Sequence, residues 1–177
     1  MIDLVDTLTL DKGRISLSTI PFAIFLTKSI YYVQEELKKC ASDSWKKILY
    51  ESGKTDAYLA NSSYLRICSE DRSSKDLLTN SKKAFEFLAL QYNKIGKGEV
   101  RIEYDQLKSI GRVILKYSPI ASEYVEHGGS KEPQCYYFAG VYAGSMSIFH
   151  PGVEAKEIKC LSQGYPYCEF IVTLPKK

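Results

Sequence analysis

Glu157-Ile-Lys-Cys160-Leu-Ser-Gln-Gly-Tyr-Pro-Tyr-Cys168 is the stretch on which the fold of this chain turns. It reads as a β-hairpin with its turn centred on Gly164, which sets Cys160 and Cys168 directly opposite each other. Cross-strand partners hold their Cβ atoms ~4.5–5.5 Å apart on one face, so both thiolates can reach one tetrahedral ion. Cys135 is a third candidate. It precedes a helical pattern, and a helix N-terminus favours a thiolate. Glu157 is harder to place, because residues three apart on a regular strand face opposite ways. It can join Cys160 only across a bulge or a strand end. Spacing alone leaves three readings open: a metal site, buried or redox-active thiols, and a disulfide.

Working back from the hairpin, Cys135, Phe138, Ala139, Tyr142 and Met146 share one face of a helix signalled by Ser130 and Pro133. Gly140 and Gly144 lie four apart on a neighbouring face and allow another element to come close. Upstream, Val100, Ile102 and Tyr104 alternate with charged residues, and Gly111–Tyr117 forms a second such run. The period of two predicts two antiparallel strands, each with one buried face. Between them and the helix, residues 118–131 read as a loop or short helix carrying His127.

The first half reads as helical. Phe22, Phe25, Leu26, Ser29, Ile30, Val33 and Leu37 recur at helical spacing, predicting a long amphipathic helix over Ile20–Lys39 with this stripe in the core. Ser18 or Thr19 is its expected cap, and Pro21 falls in its first turn. A second helix is expected from Trp45 to a glycine cap at Gly53. A helical connection carries Cys68, a polar break covers Ser69–Ser74, and a third helix runs from Asp76 to Asn93. Cys40 and Cys68 stand alone and read as buried, inert thiols. The fold class is therefore α+β: a small antiparallel sheet of about four strands, with a C-terminal hairpin, packed against several helices. One domain is expected over 1–177, with 1–18 as an N-terminal extension.

Composition narrows the function. The 177 residues suffice for one well-cored domain, and a net charge of +3 spread over mixed signs demands neither nucleic acid nor an anionic membrane. The most apolar run, Ile20–Val33, contains Lys28 and is shorter than the ~20 apolar residues a span needs. The acidic start Met1-Ile-Asp is no signal peptide, so a cytoplasmic location is expected. Fourteen tyrosines are the compositional outlier. No catalytic set is read: neither His127 nor His150 can be placed beside a nucleophile, and no phosphate-binding glycine loop occurs.

Together, Cys135-Tyr-Tyr-Phe-Ala-Gly140-Val-Tyr-Ala-Gly144 and Glu157, Cys160, Cys168 resemble the 4-vinyl reductase domain. That ligand-binding family is related in fold to TRAPP subunits, to haem-based nitric-oxide sensors and to the sensor domains of phenol-responsive transcription activators. Ile48–Gly53, Gly96-Lys97-Gly98 and Lys116–Ala121 are similar to further segments of that family. The resemblance implies that Cys135, Glu157, Cys160 and Cys168 bind zinc, a closed site that stabilises rather than catalyses. It also implies a non-enzymatic module enclosing a small hydrophobic or aromatic ligand, for which Tyr117, Tyr136, Tyr137 and Tyr142 are candidate contacts. The family's phenol-contacting His and Trp have no counterparts here, so ligand identity does not transfer. Two alternatives follow from the same resemblance. One is a tetrapyrrole-binding or pigment-assembly factor with His127 or His150 as axial ligand. The other is a TRAPP-like adaptor that forms a homodimer through its long helices.

Overall fold

Alternating sequence becomes sheet in the second half of the chain. The computed structural model describes residues 8–17, 20–24, 26–69, 76–105 and 110–175. Strands β4 (Glu99–Asp105) and β5 (Ile110–Lys116) pair antiparallel, with Val100 opposite Leu115 and Ile102 opposite Val113. Val100, Val113 and Leu115 are buried, whereas Arg112 and Lys116 point outward to Glu103 and Glu99. The hairpin supplies β6 (Glu154–Lys159) and β7 (Cys168–Thr173), and the sheet order is β4-β5-β7-β6. Phe170 and Val172 of β7 continue the buried face. On the outer face Arg112 and Lys159 both reach Glu169, and the hydrogen bond from Arg112 holds that carboxyl below its usual range.

Helices cover the buried face. α2 (Ser44–Ser69), α3 (Ser81–Lys94), α4 (Pro119–Glu126) and α5 (Tyr136–Ser147) join the sheet around Tyr142, Phe138, Phe85 and Tyr92. The Asn80 side chain caps α3 by accepting from Lys83 N–H, and Pro119 opens α4 at a position where its missing N–H costs nothing. A second, smaller core gathers Tyr64, Leu65, Cys68, Phe87 and Leu88 between α2 and α3.

α2 and α5 share the most extensive helix contact. Small residues permit it, as the Gly140/Gly144 spacing predicts. A Cβ at Gly140 would lie 2.0 Å from the Tyr50 carbonyl oxygen, and one at Gly144 2.1 Å from that of Lys54. Gly53 approaches from the other side, 2.1 Å from the Tyr137 carbonyl oxygen by the same measure.

Between these helices Asn61, Tyr92 and Ser145 form a buried triangle. Asn61 Nδ2 donates to Tyr92 Oη (2.5 Å) and Ser145 Oγ (2.9 Å), and Ser145 donates to the Val141 carbonyl. With its proton committed there, Ser145 accepts from Tyr92 Oη at 2.9 Å. Burial pushes the Tyr92 phenol up to about 12, so it stays a donor throughout the physiological range. Tyr92→Phe is expected to cost about 1–2 kcal/mol, the range for a buried hydrogen bond lost in place. Denaturant unfolding checks this, and an unchanged midpoint would show the triangle to be energetically idle.

Several expectations need correction. The first helix, α1 (Thr27–Ala41), starts later than Ile20, because Ile20–Phe22 is a strand, β3. β3 joins β1 (Leu8–Asp11) and β2 (Arg14–Leu17) in a separate three-stranded antiparallel sheet that the sequence reading did not foresee. The stripe on α1 is not core: Leu26, Ile30 and Val33 are exposed, and the side chain buried on that helix is Gln34. Gly53 does not end a helix but sits inside α2, where the contact with Tyr137 requires it. Cys68 is buried as expected, whereas Cys40 is exposed. The cap at Ser18 or Thr19, the side chain of Phe25 and residues 70–74 of the polar break lie outside the described residues.

Candidate metal centre and adjoining cleft

Three elements bring Cys135, Glu157, Cys160 and Cys168 to one point. Cys135 is the N-cap of α5, Glu157 lies on β6, Cys160 directly follows that strand, and Cys168 opens β7. A short 3₁₀ turn, Leu161–Gln163, follows Cys160, and Gly164 closes it in the left-handed region at φ 89°. The parity problem of Glu157 is solved by a bulge. Glu157 pairs with Phe170 but Lys159 pairs with Glu169, so Ile158 is the extra residue and turns outward. Glu157 and Cys160 thereby face the same side.

The four ligand atoms lie within 4.8 Å of one another, and all four residues are buried. The sulfurs form a triangle: Cys135–Cys160 3.9 Å, Cys135–Cys168 3.8 Å and Cys160–Cys168 3.7 Å. All five cysteines are free thiols. Zinc–sulfur bonds of ~2.3 Å at tetrahedral angles place two sulfurs about 3.8 Å apart, so the triangle has the edge length of a zinc thiolate site. Glu157 Oε2 accepts from the Cys135 N–H at 2.8 Å, whereas Oε1 is buried with no hydrogen-bond partner. An orphaned carboxylate oxygen beside three thiols is costly unless a cation meets it.

Electrostatics point the same way. Burial, and then the charge on Cys160, pushes the Glu157 carboxyl up to about 9. Burial likewise pushes the Cys135 thiol well up, while hydrogen bonds from Cys135 and Cys168 hold the Cys160 thiol far below its ordinary value. Four acids in one dry spot cannot all ionise on their own, and a divalent cation is what lets them.

Each sulfur also has a supporting donor or hydroxyl that the sequence reading missed. Ser162 Oγ donates to Cys160 Sγ (3.0 Å), the Leu161 N–H donates to Cys168 Sγ (3.3 Å), and Ser118 Oγ meets Cys135 Sγ at 3.3 Å. Such contacts orient metal ligands and spread their charge. Ser118 had a legible signal, since Ser-Pro is a helix start; its turn toward Cys135 is a tertiary fact. Gln34 had none: its Nε2 donates to the carbonyl oxygen of Gln134 (3.0 Å) and so ties α1 to the residue before Cys135.

Beside the cluster opens a cleft of about 360 Å³. Ala139 and Ala155 are among its lining residues, with Pro133, the rings of Tyr50 and Tyr136, three lysines and Glu157. Of the four tyrosines expected around a ligand, only Tyr136 lines this cleft. Tyr117 is 73% exposed beyond β5, Tyr142 packs edge-on against Phe170 in the core, and Tyr137 donates to Asp56 at 2.7 Å. The space between sheet and helices, where an enclosed cavity was expected, holds Tyr142, Phe138, Phe170 and their neighbours.

The Cys135–Cys168 hairpin and the strand before it have known relatives. Residues 116–174 match the 4-vinyl reductase (V-4-R) domain. That segment is about a third of the chain and contains all four residues of the cluster. No curated protein matches the sequence. In fold the likeness extends much further. The phenol-responsive sensory domain of the transcription activator PoxR, solved with phenol, superposes with a TM-score of 0.79 at 14% identity, over 97% of this chain and 86% of that one. A trafficking protein particle complex subunit 3 from Naegleria fowleri, covalently bound to palmitic acid, gives 0.60 at 13% identity, over 85% and 95%. A vinyl-4-reductase family protein from Methanocaldococcus jannaschii gives 0.53 at 18% identity, over 88% and 84%. Identities this low speak for the fold alone. The resemblance of the 4-vinyl reductase segment, and the relation of the whole α+β fold to TRAPP subunits and phenol sensors, thus hold. Among the described residues no helix is long and apolar enough to cross a membrane.

Proposed function

We propose that this chain is a non-catalytic small-molecule-binding domain braced by a structural zinc ion. Cys135, Glu157, Cys160 and Cys168 would hold the ion; when bound, it neutralises their charges and cross-links α5 to both strands of the hairpin. Four protein ligands leave no coordination position for substrate or water, so the site suits bracing rather than catalysis. The observation that carries the reading is the position of Glu157, which belongs to the metal cluster and also lines the cleft. A ligand lying there would rest on a wall held rigid by the metal. The cleft volume falls within the ~300–1,000 Å³ of small-molecule sites, and its tyrosine rings suit a hydrophobic or aromatic molecule. Phenol in the PoxR domain and palmitic acid in the trafficking subunit are consistent with such ligands. The reading takes residues 1–177 as one domain, with 1–18 an extension, in the reducing cytoplasm that keeps thiols free.

Native mass spectrometry of protein purified without chelator is the test. One zinc per chain and uptake of a small aromatic molecule are expected. Zinc well below one per chain would remove the structural-metal claim, and no uptake across a panel of hydrophobic compounds would remove the binding claim.

A second reading, a TRAPP-like homodimer, is favoured by one observation. Leu26, Ile30 and Val33 lie at i, i+4 and i+7 on the exposed side of α1, and Tyr58 and Leu59 are exposed on α2. Light scattering should give a dimer mass that Val33→Glu shifts toward monomer. The tetrapyrrole alternative has no comparable support. His127 stacks on Tyr31 with ring centroids 4.3 Å apart, His150 meets Ser81 Oγ, and neither lines the cleft.

A further inference from the structure

The cleft beside Glu157 is chemically divided. Ala139, Ala155, Pro133 and the rings of Tyr50 and Tyr136 make it largely apolar, but three lysines also line it: Lys46 and Lys47 from the first turn of α2 and Lys156 from β6. Lys46 is already committed. Its ammonium pairs with Glu132 and lies over the rings of Trp45 and Tyr136, and the hydrogen bond to Glu132 raises its pKa. Lys47 and Lys156 are exposed and have no ion-pair partner among the described residues. Two uncommitted cations on different elements thus share a cleft with two aromatic walls. The Tyr50 wall is fixed, since its hydroxyl accepts from the Ala155 N–H at 3.1 Å.

We infer that the cleft takes a small aromatic monocarboxylate, its ring against Tyr50 and Tyr136 and its carboxylate between Lys47 and Lys156. This rests on the small-molecule reading above and adds the charge class of the ligand. A single negative charge matches the site better than two. The Glu157 carboxylate forms part of the wall and Glu132 stands beside Lys46, so a dianion would meet repulsion that a monoanion held at the lysine rim avoids. A neutral ring would gain the apolar contact and leave both ammonium groups unused.

Trp45, the single tryptophan, lies edge-on to Tyr136 with centroids 5.1 Å apart and reports on the cleft by fluorescence. The zinc-loaded protein would be titrated with 3-phenylpropionate and with its uncharged isostere 3-phenylpropanol. The acid is expected to bind about fivefold to tenfold more tightly than the alcohol, as two solvent-exposed ion pairs allow. That preference should vanish in the Lys47→Gln/Lys156→Gln double variant and fade as salt approaches ~1 M. Both substitutions are on exposed side chains, and an unchanged melting curve would establish that the variant is folded. An alcohol that binds as well as the acid, or a preference that survives the double variant, overturns the charge assignment and leaves the small-molecule reading standing. If neither compound changes Trp45 emission or the native mass, both readings fall.

Discussion

Cys168→Ser is expected to release the metal and to lower the unfolding midpoint by roughly 10 °C or more. The magnitude follows from what structural zinc contributes. Apparent binding free energies in small zinc domains are ~10–16 kcal/mol, and for chains of this length each kcal/mol is worth about 2–4 °C. Losing one of four ligands forfeits several kcal/mol of that. Cys168 is the informative position because its sulfur lies 3.7 Å and 3.8 Å from the other two, and because it opens β7, paired with Leu115 of the central strand. A fully buried side chain costs something to replace whatever its role, so the variant is compared with the wild type stripped by chelator. If the metal carries the effect, chelation should lower the wild-type midpoint by nearly the same amount and leave Cys168→Ser almost unmoved, the non-additivity expected of groups acting on one ion. A wild-type midpoint indifferent to chelator would sink the structural-zinc reading. Acidification should act in the same direction. The ligands bind metal only when deprotonated, so bound-state pKa values lie below the free ones and stability is lost as pH falls.

Much of this centre was legible because hairpin geometry is local. Gly164 set the turn, the turn set the register, and the register put Cys160 across from Cys168. Period-two alternation likewise gave β4 and β5, whose faces are sorted by charge. Glu157 was not legible from parity: strand pattern argued against it, and the bulge at Ile158 that reverses the argument leaves no mark in composition. The resemblance to 4-vinyl reductase domains supplied what geometry withheld. The failures share a cause in tertiary context. Apolar spacing from Ile20 onward looked like a core stripe, yet a strand takes its first residues and α1 turns Gln34 inward toward Gln134 instead. Gly53 has the sequence signature of a helix end, but α2 continues because the glycine serves a crossing rather than a stop. The tyrosines illustrate the limit for ligand sites. Tyr136 and Tyr142 lie on one helix; one reaches the cleft and the other the core, and nothing in the residue type separates them.

Gly140→Ala should destabilise the protein by about 3 kcal/mol or more, dropping the midpoint by roughly 10 °C. The sign is the point. In a helix interior, replacing glycine by alanine ordinarily stabilises, by about 0.5–1 kcal/mol, because alanine loses less backbone freedom on folding. Here the new Cβ would sit 2.0 Å from the Tyr50 carbonyl oxygen and 2.8 Å from the Lys54 nitrogen. These are backbone atoms of a 26-residue helix and cannot rotate away as a side-chain tip can. Relief requires α2 and α5 to separate, and that separation travels. α5 begins at Cys135 and Tyr136, while α2 carries Tyr50, whose hydroxyl accepts from the Ala155 N–H of β6. Moving the helices apart by even a fraction of an ångström therefore alters the sulfur triangle at one end of α5 and both tyrosine walls of the cleft. Gly140→Ala should accordingly weaken zinc retention under chelator challenge as well as lower the melting temperature, although Gly140 touches neither ligand nor metal. A variant as stable as the wild type, or more so, would show that the helices do not cross this closely. One that melts early yet retains zinc normally would show that the crossing and the metal centre are mechanically independent.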